Sequence, residues 1–260
     1  MPEYGEFAIS IARMSGALLK ERFSEKHWID YKGEIDIVTE ADRMSEEIVM
    51  TEINRKFPDH NILSEESAEI ERGSRYRWVI DPLDGTTNYA HGFPVFCVSI
   101  ALEKDGQIVT GVIYNPVSDE LFVAGKGEGA SLNGSGITVS GTTEISKSLL
   151  ATGFPYDIRR DPNNNINQFN AMALEAQAIR RAGSAALDLA YTAAGRFDGF
   201  WELKLYPWDT AAGWLLVSEA GGTVTDISGG SYRLDSPGIL ASNGNIHADM
   251  IRILGRTRQG

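Results

Sequence analysis

A single cysteine, Cys97, excludes a disulfide within the chain and with it the small folds that depend on such staples. It lies in the apolar run Phe96-Cys97-Val98-Ser99-Ile100 without an activating neighbour, so it reads as a small buried hydrophobe rather than a catalytic thiol. No run of about 18 apolar residues occurs, so no membrane-spanning helix is expected. The first residues include Glu3 and Glu6 and lack a basic segment followed by an apolar one, so no signal peptide is expected and the default location is cytoplasmic. Positive charge is scarce: 24 Lys and Arg stand against 36 Asp and Glu, a net charge of −12. Phosphate-backbone contacts need clustered Lys and Arg, which argues against a nucleic-acid partner. No internal repeat or low-complexity tract is found.

What is present is a 260-residue chain with 42% hydrophobic residues, enough for a sizeable core. Residues 3 to about 23 read as an amphipathic helix with Phe7, Ile11, Met14 and Leu18 on one stripe. The charged segment Lys32-Gly33-Glu34 and then Ile35-Asp36-Ile37-Val38 lead to Thr39-Glu40-Ala41-Asp42 and a second helix to about Phe57. Thr39 and Asp42 have the spacing of a capping pair. A second reading turns Asp42 toward a metal centre, and both stay open. Asn61-Ile62-Leu63 reads as a short strand that delivers Ser64-Glu65-Glu66-Ser67. Of the adjacent glutamates only one can face a site, because neighbours on extended chain point opposite ways.

The organising stretch is Trp78 to Asn88, W-V-I-D-P-L-D-G-T-T-N. An apolar strand delivers Asp81 and then Asp84, with Pro82 stiffening the turn between them. The two carboxylates and the Leu83 carbonyl are hard oxygen donors suited to Mg²⁺, Mn²⁺ or Ca²⁺ rather than zinc. Gly85 permits close approach to the backbone, Thr86 and Thr87 can open a helix, and free N–H groups there suit a phosphate. An ordinary Asp-rich turn is the plainer alternative.

Strands are expected at Val95–Leu102, Ile108–Tyr114, Glu120–Ala124 and Ala130–Leu132, with Lys104-Asp105-Gly106 and Asn133-Gly134 as hairpin turns. Helices on an antiparallel sheet imply α+β or layered α/β. A polar stretch from Ile137 to Ser148 marks a boundary, giving an N-terminal subdomain 1–141 and a C-terminal subdomain 142–260. Beyond it come a strand at Leu149–Gly153, a helix near Asn165–Glu175 and the small-residue turn Arg180–Ala186 before a helix to Ala194. That turn fits either an anion site or close packing. Asp198–Glu202 reads as a strand, with Glu202 placed to meet substrate hydroxyls. Pro207-Trp208-Asp209 opens an apolar helix ended by Gly221-Gly222. Asp209 is expected at its N-cap, either as a cap alone or as part of a cation site. Strands near Val224 and Ile239–Ala241 and a helix from about Ile246 complete the chain.

Together these segments resemble the inositol monophosphatase family of Mg²⁺-dependent, lithium-sensitive phosphatases, most closely its bacterial and archaeal members. The resemblance covers essentially the whole chain. It rests on Trp78–Asn88, on P-W-D-T-A-A-G-x-L-L-V-x-E-A-G-G at Pro207–Gly222, on Ser64–Ser67, on Asp36–Asp42 and on Arg180–Ala190. It implies an α/β (α+β) fold, a layered α-β-α-β-α sandwich shared with fructose-1,6-bisphosphatase, and a homodimer. Carried over, the metal ligands are Glu65, Asp81, Leu83 (through its carbonyl), Asp84 and Asp209, holding two to three Mg²⁺, with Mn²⁺ as an alternative. Phosphate would rest on Gly85 and Thr86. Asp84, Gly183, Ser184, Ala185, Glu202 and Asp209 would meet a phosphorylated polyol or sugar. Glu65 and Thr86 would orient an attacking water, with Asp42 accepting from Thr86. The segment Lys32–Asp42 is one residue shorter than in the animal enzymes, Ser184 replaces a threonine found in some members, and the loop Pro155–Asn167 is less distinctive. Implied substrates are inositol monophosphate first, then fructose 1,6-bisphosphate. A regulatory binding protein on the same fold is the remote alternative. The haloacid-dehalogenase motif D-x-D-G-T does not fit, because Asp81 and Asp84 are one residue too far apart and Leu83 stands where its nucleophile would be.

Overall fold

The computed structural model describes residues 2–23, 29–31 and 37–256. Lys32 to Asp36 lie outside them, so the expectations for those positions do too. Helix α1 (Pro2–Arg22), the short antiparallel pair β1 (Ile29–Tyr31) and β2 (Ile37–Thr39), and α2 (Glu40–Lys56) come first. A seven-stranded sheet follows, in sequential spatial order: β3 (Asn61–Ser64), β4 (Tyr76–Asp84), β5 (Cys97–Lys104), β6 (Gln107–Asn115), β7 (Glu120–Gly125), β8 (Gly129–Leu132) and β9 (Ser135–Gly136). A short helix, α3 (Thr86–Ala90), joins β4 to β5. All neighbours in this sheet are antiparallel except β3 and β4.

The second sheet has five strands in the order β11-β10-β12-β14-β13, from β10 (Leu149–Thr152), β11 (Ala178–Arg180), β12 (Gly199–Leu203), β13 (Thr223–Asp226) and β14 (Gly238–Ser242). Its helices are α4 (Ile166–Ala173), α5 (Ala185–Ala193), α6 (Pro207–Glu219) and α7 (His247–Gly255). Strand β10 runs parallel to both β11 and β12, and the other pairings are antiparallel.

Three cores separate the layers. Along β4, Trp78 and Ile80 enter the core beneath α1 and α2, whereas Val79 enters the core beneath α5 and α6. This is the two-residue alternation of a strand buried on both faces. On β12, Phe200 joins the α5–α6 core, and Trp201 and Leu203 join the core of α4 and α7. The result is the expected α-β-α-β-α sandwich, with α5 and α6 between the two sheets. The small residues of the α6 motif let those layers close up. A Cβ at Gly111 on β6 would stand 2.9 Å from the Ala212 carbonyl, and one at Gly213 would stand 2.5 Å from the Leu189 side chain.

Several sequence expectations shift. On α1 the buried stripe is Phe7, Ile11, Ser15 and Leu19, while Met14 is 47% exposed and Leu18 only partly buried. The reason is Gly16, which sits so close that a Cβ there would be 2.5 Å from the Tyr114 ring. That contact rotates the helix toward the Ser15 side. Helix α4 is shorter than expected, and β11 was not anticipated because its three residues carry no alternating pattern. The turn expected at Pro82 is instead a bulged continuation of β4.

Candidate active site

The bulge in β4 builds the centre of the site. Asp81 pairs with Ser99 and Asp84 with Cys97, so β4 advances three residues where β5 advances two. Pro82 has no N–H to offer a ladder, which suits it to a bulge. In an unbroken strand, residues i and i+3 face opposite sides. The extra residue returns Asp84 to the side of Asp81. Asp81 is then fixed by its own turn, accepting from the Leu83 N–H at 3.0 Å.

Asp209 reaches the same point from the first turn of α6. It is not the N-cap that its sequence position suggested. Tyr206 occupies that place, and Asp209, three residues on, accepts the Tyr206 N–H at 2.7 Å through Oδ2. Asp81, Asp84 and Asp209 bring carboxylate oxygens within 4.8 Å of one another. They line a cleft of about 280 Å³ together with Glu65, Leu83, Gly85 and Thr86. Glu65 continues from β3, its N–H donating to the Ile80 carbonyl at 3.3 Å. Glu65 faces this cleft, and Glu66 is not part of its lining.

The electrostatics follow from crowding. Burial first, then the charges of Glu65, Asp84 and Asp209, pushes Asp81 well above the ordinary carboxylate range. Burial, Glu65 and Asp84 do the same to Asp209. Asp84 is raised by burial, against the pull of its hydrogen bonds. Its Oδ2 accepts from the Ser184 hydroxyl at 2.6 Å and from the Ala186 N–H at 2.8 Å, at the opening of α5. Three carboxylates whose oxygens lie this close are hard oxygen donors that suit a divalent cation of the Mg²⁺ type.

Asp42 is the capping partner that its spacing from Thr39 suggested, and it also reaches Thr86 at the cleft. Its Oδ2 accepts the Thr39 N–H at 2.8 Å and the Thr39 hydroxyl at 2.6 Å, which caps α2. Its Oδ1 accepts the Thr86 hydroxyl at 2.8 Å. Thr86 opens α3 behind Gly85, whose φ of 95° and 2.8 Å clearance from a Cβ to the Val95 carbonyl admit only glycine. Asn88 donates to the carbonyls of Val95 at 2.7 Å and Ala182 at 2.8 Å, and so ties this helix to the Arg180–Ala186 turn.

The other wall comes from the C-terminal half. Gly183, Ser184, Ala185 and Glu202 all line the cleft. A Cβ at Gly153 would meet the Glu202 carboxylate at 2.1 Å, so only glycine lets that carboxylate lie against β10. Burial raises Glu202 to about 8, with Arg181 opposing and Asp84 adding to the shift. Of the lining residues missed from sequence, two charged ones matter most. Asp188 is 1% exposed, and neither of its carboxylate oxygens has a hydrogen-bond partner among the described residues. Burial, Glu202 and Asp84 push it well above the usual range. Its signal was legible: it is the lone acid in the apolar run Ala185–Ala194. Lys204 is the other. It bonds Asp157 and Asp161, both at 2.6 Å, and so holds the loop after Gly153 across the cleft mouth. Nothing in its local sequence marked it.

Comparison with known proteins agrees with this geometry. The family model described as "Inositol monophosphatase family" matches residues 2–259. An inositol-1-monophosphatase of Mesorhizobium japonicum is 43% identical over 94% of this chain and 93% of its own. A Nus factor SuhB of Escherichia coli K12 is 42% identical over 94% of this chain and 92% of its own. The solved structure of an inositol monophosphatase from Anabaena (Nostoc) superposes with a TM-score of 0.90 at 46% identity, covering 97% of this chain and 95% of that one. The bulged D-P-L-D strand, the buried carboxylates around it and the match along nearly the full length agree, and the chain belongs to the inositol monophosphatase family.

Proposed function

We propose that this protein is a Mg²⁺-dependent phosphate monoester hydrolase acting on inositol monophosphate by direct attack of water. The observation that carries the reading is the convergence of Asp81, Asp84 and Asp209 within 4.8 Å in one cleft. Glu65, Asp81, the Leu83 carbonyl, Asp84 and Asp209 would hold two to three divalent cations, Mn²⁺ serving in place of Mg²⁺. When bound, the cations supply Lewis acidity to the phosphate and to the water that attacks it. Uncatalysed hydrolysis of such esters is so slow that roughly 20 kcal/mol of barrier must be removed.

The chain's own residues place the reactants. Thr86 has one hydroxyl proton, which points to Asp42 Oδ1 at 2.8 Å or to the Leu83 carbonyl at 3.0 Å. Its oxygen lone pairs are thereby left to accept from a water, with Glu65 as the second acceptor. Asp42 accepts the Thr86 hydroxyl and so fixes the Thr86 rotamer. The backbone at Gly85 and Thr86 would receive the phosphate. Asp84, Gly183, Ser184, Ala185, Glu202 and Asp209 would face the alcohol. Subdomain 1–141 then supplies most of the cation ligands, and 142–260 supplies Asp209 and most of the residues facing the alcohol. Lithium sensitivity and a cytoplasmic homodimer belong to the same reading.

A dual activity on fructose 1,6-bisphosphate is the nearest variant. A regulatory binding protein draws on the name of the E. coli relative, but every expected ligand position here holds a competent residue. Phosphate release from inositol 1-phosphate and fructose 1,6-bisphosphate, each with Mg²⁺, with EDTA and with Mg²⁺ plus lithium, tests the proposal. Mg²⁺-dependent release that Asp84→Asn abolishes is expected. Release that persists in EDTA, or in Asp84→Asn, overturns it.

A further inference from the structure

Helix α2 carries three buried polar side chains at positions i, i+3 and i+4 of one stripe: Asp42, Ser45 and Glu46. Each reaches a different segment of the cleft. Asp42 takes the Thr86 hydroxyl at 2.8 Å. The Ser45 hydroxyl donates to the Pro82 carbonyl at 2.6 Å, inside the bulge between Asp81 and Asp84. Glu46 Oε2 accepts from the Ser67 hydroxyl at 2.6 Å, two residues beyond Glu65. Because Ser45 spends its proton on Pro82, its contact with Ser15 makes Ser15 the donor, and α1 braces the same point.

Glu46 is 7% exposed, and its second oxygen has no hydrogen-bond partner among the described residues. A buried carboxylate held by a single hydrogen bond is a poor stabiliser, because desolvation outweighs one contact. What this contact does accomplish is to hold the loop that carries Glu65. Neither Ser45 nor Glu46 is among the residues that line the cleft.

Resting on the cation-site reading above, we propose that Ser45 and Glu46 are positioning residues that set the spacing between the two arms of the site. Through Pro82 they fix the arm of Asp81 and Asp84, and through Ser67 the arm of Glu65. The need is electrostatic. Glu65 and Asp81 repel each other and belong to different segments, so without a frame the arms would drift apart whenever cations leave. A single helix fixes both anchor points at a rigid separation, which a pair of loops cannot do.

The test is Mn²⁺ binding to the full chain, read by electron paramagnetic resonance after chelator treatment, with Asp81→Asn as the reference variant. Ser67→Ala and Glu46→Ala are each expected to weaken Mn²⁺ binding about tenfold. The double variant should be no weaker than either single one, since both remove the same bond. Glu46→Gln keeps an acceptor for Ser67 and should recover most of the affinity. A merely structural role would lower the melting temperature of the metal-free protein and leave Mn²⁺ affinity unchanged. If Ser67→Ala and Glu46→Ala both bind as wild type while Asp81→Asn has lost binding, the positioning role is overturned and the cation site stands. If Asp81→Asn binds Mn²⁺ as wild type does, the cation site falls and the proposal with it.

Discussion

Thr86 donates its hydroxyl proton to Asp42 across 2.8 Å, joining residues 44 positions apart. The same Asp42 caps α2 with its other oxygen. One carboxylate therefore anchors a helix and orients a hydroxyl at the head of α3, and the two duties can be separated by mutation.

Thr86→Val keeps the shape and removes the hydroxyl, leaving the cap intact. We expect it to lower kcat by roughly 10²–10⁴-fold, the range of a lost acid–base group. Thermal stability should change by less than about 2 kcal/mol, since one hydrogen bond is lost and Asp42 keeps its cap partners. Asp42→Asn should lower kcat by a similar factor and also destabilise α2 by about 1 kcal/mol. Steady-state kinetics beside thermal melts separates the two effects.

Stability in EDTA should fall as pH rises from about 5 to 8. The sign follows from Glu202, whose folded-state pKa is raised from the ordinary 4.5 to about 8. Between those values the folded chain holds a proton that the unfolded chain has released. The stability this confers is present in full at low pH and is lost as pH climbs through 8. The slope is at most about 1.4 kcal/mol per pH unit for one group. Asp81, Asp188 and Asp209 are raised in the same direction and add to it. Urea melts of wild type and Glu202→Gln across this range should show a shallower slope in the variant. An equal slope would rule Glu202 out as a contributor.

Asn88→Ala removes the donor that bridges α3 to the Val95 and Ala182 carbonyls at 2.7 and 2.8 Å. Two half-buried acceptors lose their partner, so a cost of about 1–2 kcal/mol is expected. The Gly183 turn should loosen as well, because Asn88 is one of the side chains pressed against it. KM for inositol 1-phosphate should rise more than kcat falls. Kinetics and a denaturant melt check both.

Much of this molecule was legible in its residues because the information is local. Periodicity marked β6, α2 and α6 within a residue or two of their observed ends, and the centre of β4. The D-P-L-D-G-T-T-N run marked the carboxylates, and the Thr39–Asp42 spacing marked a cap. Short elements such as β11 were not legible, since three residues carry no period. Contacts between distant segments lay beyond it for another reason. That Gly16 rests on Tyr114 and turns the α1 stripe toward Ser15 depends on a strand about a hundred residues later. That Asp188 lies buried near Glu202, and that Lys204 ties Asp157 and Asp161 over the cleft, depends on how two sheets sandwich α5. By itself the sequence determined the chemistry on offer, namely which oxygens occur and on which elements. Only the tertiary structure decided which of them meet, because a bulge of one residue in β4 and the close approach of α6 to β6 bring Asp81, Asp84 and Asp209 within 4.8 Å.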